Sequence, residues 1–288
     1  MILWLASYPK SGNTFVRSLL SSFFFSEDGN FKLELLDKIK RFPSNYFFEN
    51  IGVDINNDYE VAKNYIKAQE KINNKNSLIF LKTHSSFCKL LDKYNFSDLK
   101  NSIGVIYIVR DPRNVVTSFA NHVNKTCDET VQFLIQDNTV NSDKGETKVY
   151  VGSWSLNYNS WKVFKSYNKY LLIKYEDLIL NTENVFKEIL FFIKEISNLN
   201  FNFDQKKFDN AINSTKFDKM QALEKKYGFN EAEINKKTGK KNIFFNLGPN
   251  NNWEKNLDLK IKLKIENNLS KEMKELGYLW FCLKNKFW

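Results

Sequence analysis

The sequence has few of the residues that cross-link or punctuate a chain. Among 288 residues there are three cysteines, four prolines, ten glycines and two histidines. Cys88, Cys127 and Cys282 are scattered and have no CxxC spacing, which argues against a disulfide framework and against a zinc site. We therefore interpret all three as ordinary thiols and expect no metal.

Long hydrophobic runs are missing as well. No segment approaches the roughly eighteen uninterrupted apolar residues that a transmembrane helix needs. The apolar start of the chain, residues 1–6, is short and no basic residue precedes it, unlike a secretory signal. These features predict a soluble, cytoplasmic protein without a membrane span.

The excess of positive charge is modest. There are 43 Lys and Arg residues against 33 Asp and Glu, which gives a formal charge of +10. With 42% hydrophobic residues, the chain can build a sizeable core and is not a disordered protein. The charge and the 16% aromatic content leave a nucleic-acid-binding protein open. Because no RNP, KH or zinc-finger pattern occurs and the basic residues are spread out, we expect no specific nucleic-acid partner.

Strand-like and helix-like segments alternate along the chain. This alternation predicts an α/β fold with a central parallel sheet flanked by helices. The predicted strands are Leu3–Ser7, Leu78–Lys82, Gly104–Val109 and Tyr170–Lys174. The predicted helices are Thr14–Phe24, Pro112–His122, Ser153–Ser166, Thr182–Ile196 and Leu257–Leu276. No linker divides the chain, so we predict one domain over residues 1–288, with two long insertions at 26–75 and 124–150 that the pattern leaves unassigned.

Residues 3–15 are typical of an anion-binding loop. An apolar strand runs into a turn with Lys10, Ser11 and Gly12, and a helix begins near Thr14. Such a turn directs unpaired backbone N–H groups at a ligand, while the lysine adds a charge and the hydroxyls add donors. The loop is not a Walker A motif, because Pro9 stands where a glycine would precede the lysine. An ordinary strand-to-helix turn with a solvated lysine remains the alternative.

Two further strand ends carry polar side chains. Arg110 follows the third strand, and Ser118 lies about two turns into the next helix, an arrangement that suits a second phosphate. Lys82 and His84 follow the second strand, where a neutral imidazole can act as a general base. His122 ends a predicted helix, so we interpret it as a protonated partner of the helix dipole.

Six segments resemble, in order, the motifs of sulfotransferases that use 3′-phosphoadenosine 5′-phosphosulfate (PAPS). They are residues 8–15 (YPKSGNTF), 82–84 (KTH), 109–118 (VRDPRNVVTS), 152–154 (GSW) with Trp161, 175–178 (YEDL), and 215–217 (TKF) with Met220. Each motif alone is only moderately specific, whereas their joint order is highly specific. The resemblance runs from residue 3 to about residue 257.

This resemblance implies a three-layer fold similar to that of P-loop proteins, and it implies residue roles. The 5′ phosphosulfate would lie on the loop at residues 10–14, the 3′ phosphate on Arg110 and Ser118, and the adenine among aromatic side chains. The nucleotide-binding residues so implied are Lys10, Ser11, Gly12, Asn13, Thr14, Phe15, Arg110, Ser118, Tyr175, Thr215, Phe217 and Gly248. The catalytic residues so implied are His84, Lys10, Lys82 and Ser118, with Ser118 restraining Lys10 until the acceptor is present.

The last motif of the family departs from its pattern here. Where the family has RKGxxGDWKN, residues 246–255 read NLGPNNNWEK, so Asn246 and Leu247 replace two cations. Gly248 remains and can still offer its backbone N–H. Lys240 or Lys241 would have to supply the missing charge.

The function that the resemblance implies is transfer of a sulfuryl group from PAPS to a hydroxyl or amine, by in-line displacement with His84 as general base. The acceptor is expected to be a small molecule or a sugar. A P-loop nucleotide kinase or phosphotransferase is the alternative enzyme, although a Walker lysine and an acidic metal ligand are not evident. A basic nucleic-acid-binding protein and an inactive member of the fold are the remaining alternatives.

Overall fold

The structure is a computed structural model that describes residues 1–73, 77–137, 140–141, 146–197, 201–235 and 238–279. Cys282 lies outside the described residues. Cys88 and Cys127 are free thiols. Among the described residues, no helix combines the length and apolar character needed to cross a bilayer.

The strands of the described residues are β1 Ile2–Ser7, β2 Ile79–Thr83, β3 Lys89–Leu90, β4 Tyr94–Asn95, β5 Ser102–Val109, β6 Val140–Asn141, β7 Val149–Tyr150 and β8 Tyr170–Lys174. In this part of the chain, four strands form the central sheet, in the order β2-β1-β5-β8, and every neighbouring pair is parallel. The short strands pair antiparallel, β3 with β4 and β6 with β7. The predicted parallel sheet is therefore confirmed.

Helices pack on the sheet and fill the long connections. They are α1 Asn13–Phe25, α2 Asn45–Glu49, α3 Asp58–Lys63, α4 Tyr65–Asn73, α5 Pro112–Val123, α6 Cys127–Ile135, α7 Trp154–Ser160, α8 Tyr175–Leu180, α9 Thr182–Ser197, α10 Gln205–Ser214, α11 Phe217–Tyr227, α12 Trp253–Asn256, α13 Leu259–Asn268 and α14 Ser270–Glu275. The 3₁₀ helices of the described residues cover Leu33–Lys38, Trp161–Tyr167 and Gly248–Asn250.

The sheet is buried on both faces, as expected for parallel strands between helices. In β1, Trp4 belongs to one hydrophobic cluster and Leu3 and Leu5 to the other. Trp4 packs against Phe42 and Trp161, and its indole N–H donates to Ser102 Oγ at 2.8 Å. Because side chains alternate along a strand, the continuous apolar run of β1 supplies both cores.

Two predicted helices are interrupted. The segment predicted as one helix, Leu257–Leu276, is divided at Leu269 into α13 and α14, since Leu269 leaves the helical conformation as the C-cap of α13. Its apolar face is nevertheless buried as predicted. The predicted helix Ser153–Ser166 is α7 followed by a 3₁₀ helix. In the unassigned insertions the structure has helices α2 to α4 and α6.

The docking of α13 is testable with a pair of substitutions on one helix. Ile265→Ala should lower the free energy of unfolding by about 2–5 kcal/mol, because it leaves a cavity at a fully buried position. Leu263→Ala removes the same kind of side chain at a position that is 46% exposed, and should change stability by about 0.5 kcal/mol or less. Urea unfolding of both variants measures the difference. Equal losses would contradict the packing described here.

Candidate active site

All four strands of the sheet end at one edge, and a cavity of about 880 Å³ opens there. Residues that follow β1, β2, β5 and β8 line it, as the carboxyl ends of parallel strands do in α/β folds. The structure brings together thirteen of the site residues predicted from sequence. They are Lys10, Gly12, Asn13, Thr14, Phe15, Lys82, His84, Arg110, Ser118, Tyr175, Thr215, Phe217 and Gly248.

The loop between β1 and α1 has the form of an anion-binding turn. Gly12 has a φ of 101°, and no side chain among the described residues caps the helix that follows, so the first N–H groups of α1 remain open to a ligand. A Cβ at Gly12 would lie 2.5 Å from the ring of Tyr175, which only glycine permits. The Asn13 side chain holds the loop to β1 by donating a hydrogen bond to the Leu5 carbonyl at 2.9 Å.

Ser11 differs from the prediction. Its side chain is fully buried, it does not line the cavity, and its hydroxyl has no hydrogen-bond partner within the described residues. The hydroxyl of this loop that lines the cavity is that of Thr14.

Arg110 joins two loops at the carboxyl end of β5. Its guanidinium donates to the Lys10 carbonyl at 3.1 Å and to the Gly248 carbonyl at 3.3 Å, and its centre lies 4.2 Å from the ring centroid of Tyr175. Its buried Nε has no partner among the described residues. Burial lowers the pKa of Arg110, although an arginine stays charged at any ordinary pH. A charged donor with unused capacity therefore lies where an anion would enter.

The helix after β5 begins as the sequence predicts. Asp111 is the N-cap of α5 and accepts a hydrogen bond from the Arg113 amide at 2.9 Å, with Pro112 in the first turn. Two turns on, Ser118 and its neighbour Thr117 reach the cavity wall. Thr117 donates to Asn251 Oδ1 at 3.0 Å, which ties α5 to the segment after Gly248.

His84 has a defined tautomer. Its Nδ1 lies 2.8 Å from the Ser7 carbonyl oxygen, and a carbonyl can only accept, so Nδ1 carries the proton and Nε2 keeps a free lone pair. Burial and the nearby charge of Lys82 lower the pKa of His84 to about 3. The imidazole is therefore neutral at physiological pH and can accept a proton at Nε2.

Lys82 is buried but paired. Its ammonium lies 2.8 Å from Glu231 Oε2, and Glu231 Oε1 lies 2.6 Å from Arg17 Nη1. Burial lowers the pKa of Lys82 to about 8 against the opposing effect of Glu231. Burial alone would raise the pKa of Glu231, but Lys82 and Arg17 hold it far below its usual range.

Lys10 lies over an aromatic ring rather than on an acidic partner. Its ammonium is 3.7 Å from the ring centroid of Phe244, a cation–π contact. Burial, and after it the charge of Arg110, lower the pKa of Lys10 to about 7; Glu231 opposes this shift, Lys82 adds a smaller lowering effect, and Glu224 opposes it weakly. Near neutral pH this lysine is thus poised between its two protonation states.

Glu231, Phe244 and His122 are among the cavity side chains that sequence reasoning missed. His122 does not act as a protonated helix cap. It lines the cavity and packs against Phe119 and Phe244, and burial with Lys10 nearby lowers its pKa to about 3. The helix instead ends at Asn124 in the left-handed conformation. No motif marked Glu231, which is brought to Lys82 only by the fold.

The segment with the divergent last motif does reach the cavity. Asn246, Leu247 and Gly248 all line it. Gly248 has a φ of 50°, and a Cβ there would lie 2.1 Å from the Phe217 ring, so the loop packs directly on that ring. Of the two lysines considered as replacements for the lost cations, Lys241 lines the cavity, and its ammonium donates to the Phe229 carbonyl at 3.2 Å. Within the described part of the chain, no three His, Cys, Asp or Glu side chains cluster as a metal site would require.

A parallel sheet with an anion loop after its first strand and cations at three strand ends defines an α/β protein of the nucleotide-binding type. The profile of the sulfotransferase domain family matches residues 2–277. The chain therefore belongs to the sulfotransferase domain family, and the predicted resemblance is confirmed. None of the curated protein sequences matches this chain closely enough to count as a relative.

Solved structures share the fold at low sequence identity. Mouse sulfotransferase SULT7A1 complexed with PAP superposes with a TM-score of 0.60 at 17% identity, over 96% of this chain and 85% of that one. Retinol dehydratase in a complex with retinol and PAP gives a TM-score of 0.59 at 14% identity, over 95% of this chain and 81% of that one. These likenesses confirm the predicted P-loop-like α/β fold.

The protonation of the two histidines is directly testable. Because their pKa values are lowered to about 3, neither imidazole should titrate between pH 5 and pH 8. Nitrogen-15 NMR of histidine-labelled protein should show two neutral rings throughout this range, with the proton of His84 on Nδ1. A ring that titrates near pH 6.5 would contradict the burial described for that residue.

Proposed function

We propose that the protein transfers a sulfuryl group from PAPS to a hydroxyl or amine of a small-molecule or sugar acceptor. The observation that carries the proposal is the meeting of three groups in one cavity. His84, at the end of β2, has an unprotonated Nε2. Two lysines have lowered pKa values: Lys10 in the anion loop and Lys82 at the end of β2. The buried Arg110 holds the anion loop to the loop of Gly248. Membership of the sulfotransferase domain family supports the choice of reaction.

The cavity suits a nucleotide with phosphates at two ends. The open N–H groups at Gly12 to Thr14, the Thr14 hydroxyl and Lys10 would hold the 5′ end, and Arg110 with Ser118 would hold the 3′ phosphate. The second N–H of each Arg110 Nη and the absence of a side-chain cap on α1 among the described residues leave donors for both ends. Burial is the largest cause of the lowered pKa of Lys10, and the nearby charges of Arg110 and Lys82 add to it; a bound anion would offset these two charges.

Aromatic and small residues would form the adenine site. Phe15, Tyr175 and Phe217 line the cavity, as does the buried Thr215. Glycine at position 248 lets its loop lie against the Phe217 ring. Flat side chains of this kind offer stacking surfaces to a purine.

The chemistry assigned to the chain's own groups follows from their protonation. PAPS supplies the activated sulfuryl group. His84 Nε2 would take the proton of the acceptor, since its Nδ1 proton is committed to the Ser7 carbonyl. Lys10 and Lys82 would neutralise charge that builds on the leaving phosphate, an effect that is largest in a cavity with little water. Ser118, in the cavity wall, would restrain Lys10 until the acceptor binds.

The proposal is tested by binding and turnover measured on two variants. Wild-type protein should bind 3′,5′-diphosphoadenosine in a calorimetric titration and should sulfate an acceptor from a screen with radiolabelled PAPS. His84→Ala should lose most turnover, at least about a hundredfold, and keep its nucleotide affinity. Arg110→Ala should weaken the nucleotide, because it removes a charged donor and the tie between two loops. No binding of the nucleotide by the wild type would overturn the proposed function, and full turnover in His84→Ala would overturn the role of the base.

The adenine site is tested by a matched pair of glycine substitutions. Gly248→Ala should weaken binding of 3′,5′-diphosphoadenosine about tenfold or more, or about 1.4 kcal/mol, because a Cβ would displace the Phe217 ring. Gly239→Ala places a methyl group at a similar positive φ of 68°, in the same part of the chain, where it meets no described atom within 4 Å. Both variants carry the backbone strain, but of the two positions only Gly248 lines the cavity, accepts a hydrogen bond from Arg110 and packs on the Phe217 ring. A similar loss of affinity in the two would argue against this assignment of the adenine site.

A further inference from the structure

Glu231 lies in the cavity wall and bridges two cations from distant parts of the chain. Its carboxylate accepts hydrogen bonds from Lys82 Nζ at 2.8 Å and from Arg17 Nη1 at 2.6 Å. The side chains of Lys82 and Arg17 are 7% and 6% exposed, whereas that of Glu231 is 30% exposed. Two buried cations thus share one carboxylate that borders the cavity.

The packing around Glu231 fixes this bridge. Its neighbours Phe229 and Ala232 are buried in a small hydrophobic cluster that also contains Leu36. Arg17 is held to the same place, since its Nη2 donates to the Leu36 carbonyl at 3.1 Å. The carboxylate is therefore placed by the core beneath it, and it in turn places the ammonium of Lys82.

The charges around Lys82 are predominantly positive. Arg17, on α1, shares the carboxylate of Glu231 with Lys82. Arg41 forms an isolated parallel β-bridge with Lys82 beside β2. Lys10 faces it from the anion loop, and the neutral imidazole of His84 follows two residues later. Among these groups the carboxylate in contact with Lys82 is that of Glu231, so the protonated form of Lys82 depends on it.

We propose that Glu231 is a positioning residue for the transfer reaction, which keeps Lys82 protonated and fixed in the cavity wall beside His84. This inference rests on the proposed function, because Lys82 is there assigned to neutralise the leaving phosphate. It adds a residue that no motif marks and that acts through Lys82. Arg17 is joined to the same carboxylate but affects Lys82 in the opposite sense.

The opposite effects of Glu231 and Arg17 give the inference a sharp test. Burial lowers the pKa of Lys82 to about 8, Glu231 raises it, and Arg17 lowers it. Glu231→Gln should therefore move this pKa down by about one pH unit or more, whereas Arg17→Met should move it up. Both variants break the same ion pair, so a purely structural role would affect them alike.

Two readouts are measured on each variant. Nitrogen-15 NMR of lysine-labelled protein follows the Lys82 ammonium directly, with Lys82→Met to assign its signal. The pH dependence of kcat with PAPS should show a basic limb that moves to lower pH in Glu231→Gln and to higher pH in Arg17→Met. Glu231→Asp keeps the charge but shortens the reach, so its basic limb should stay near that of the wild type while kcat falls about tenfold or more.

Glu183→Gln serves as the control, because the ion pair that Glu183 forms among the described residues is with Lys187, at 2.6 Å on the exposed side of α9. It should leave the Lys82 signal and the pH profile unchanged. Thermal unfolding of every variant separates loss of fold from loss of charge, and Glu231→Asp and Arg17→Met keep the test decisive if Glu231→Gln does not fold.

The inference is overturned if the Lys82 pKa does not respond to Glu231→Gln, or if it moves in the same direction in Glu231→Gln and Arg17→Met. The NMR titration needs no substrate. If PAPS is not the donor, the wild type shows no turnover with it, and the proposed function fails. If only the role of Glu231 is wrong, the wild type turns over normally and the pH profiles of Glu231→Gln and Arg17→Met superimpose.

Discussion

The parallel pairing of β1 with β2 and β5 is the constraint on which the site depends. Leu5 is in register with Lys82 on one side and with Ile106 on the other. Because all three strands run in the same direction, their carboxyl ends coincide, and the residues that follow them meet without any further adjustment. The anion loop, His84 and Arg110 are neighbours for this reason, although they are separated by 26 or more residues in the chain.

That convergence creates an electrostatic problem, and the structure solves it in three ways. Lys82 is compensated by an acidic partner, Glu231. The Lys10 ammonium lies over the Phe244 ring, and the pKa of Lys10 is lowered. Arg110 retains its charge and is held by backbone carbonyls and the Tyr175 ring. Burying like charges together is unfavourable, so the cavity is suited to an anion that restores the balance.

How far the sequence predicts this site depends on the range of the interactions involved. The loop at Lys10, the N-cap Asp111 and the strand end at Lys82 are local patterns, and each is readable from a few adjacent residues. The conformation of α13 and α14 was harder to predict, because the same apolar face stays buried whether or not the helix is interrupted at Leu269. Periodicity reports the buried face and not the continuity of the backbone.

Glu231 and His122 show where sequence reasoning stops. Glu231 is 149 residues from Lys82, and nothing in its neighbourhood of the sequence distinguishes it from other acidic residues. His122 was interpreted from its helix alone, as a charged residue at a carboxyl terminus. Its actual neighbours, Phe244 and Lys10, come from other parts of the chain. A pKa is set by all surrounding groups, so it follows only from the assembled fold.

The charge balance also bears on the strength of the proposed base. A histidine whose pKa is lowered to about 3 is protected from protonation but is a weak proton acceptor. Burial sets most of that shift, and the positive charge of Lys82 adds to it. Negative charge placed among Lys10, Lys82 and Arg110 would offset this repulsion and raise the pKa of His84 toward the working pH. The same anion that relieves the crowded cations would therefore also strengthen the proposed base, so that binding of the donor would favour proton removal from the acceptor.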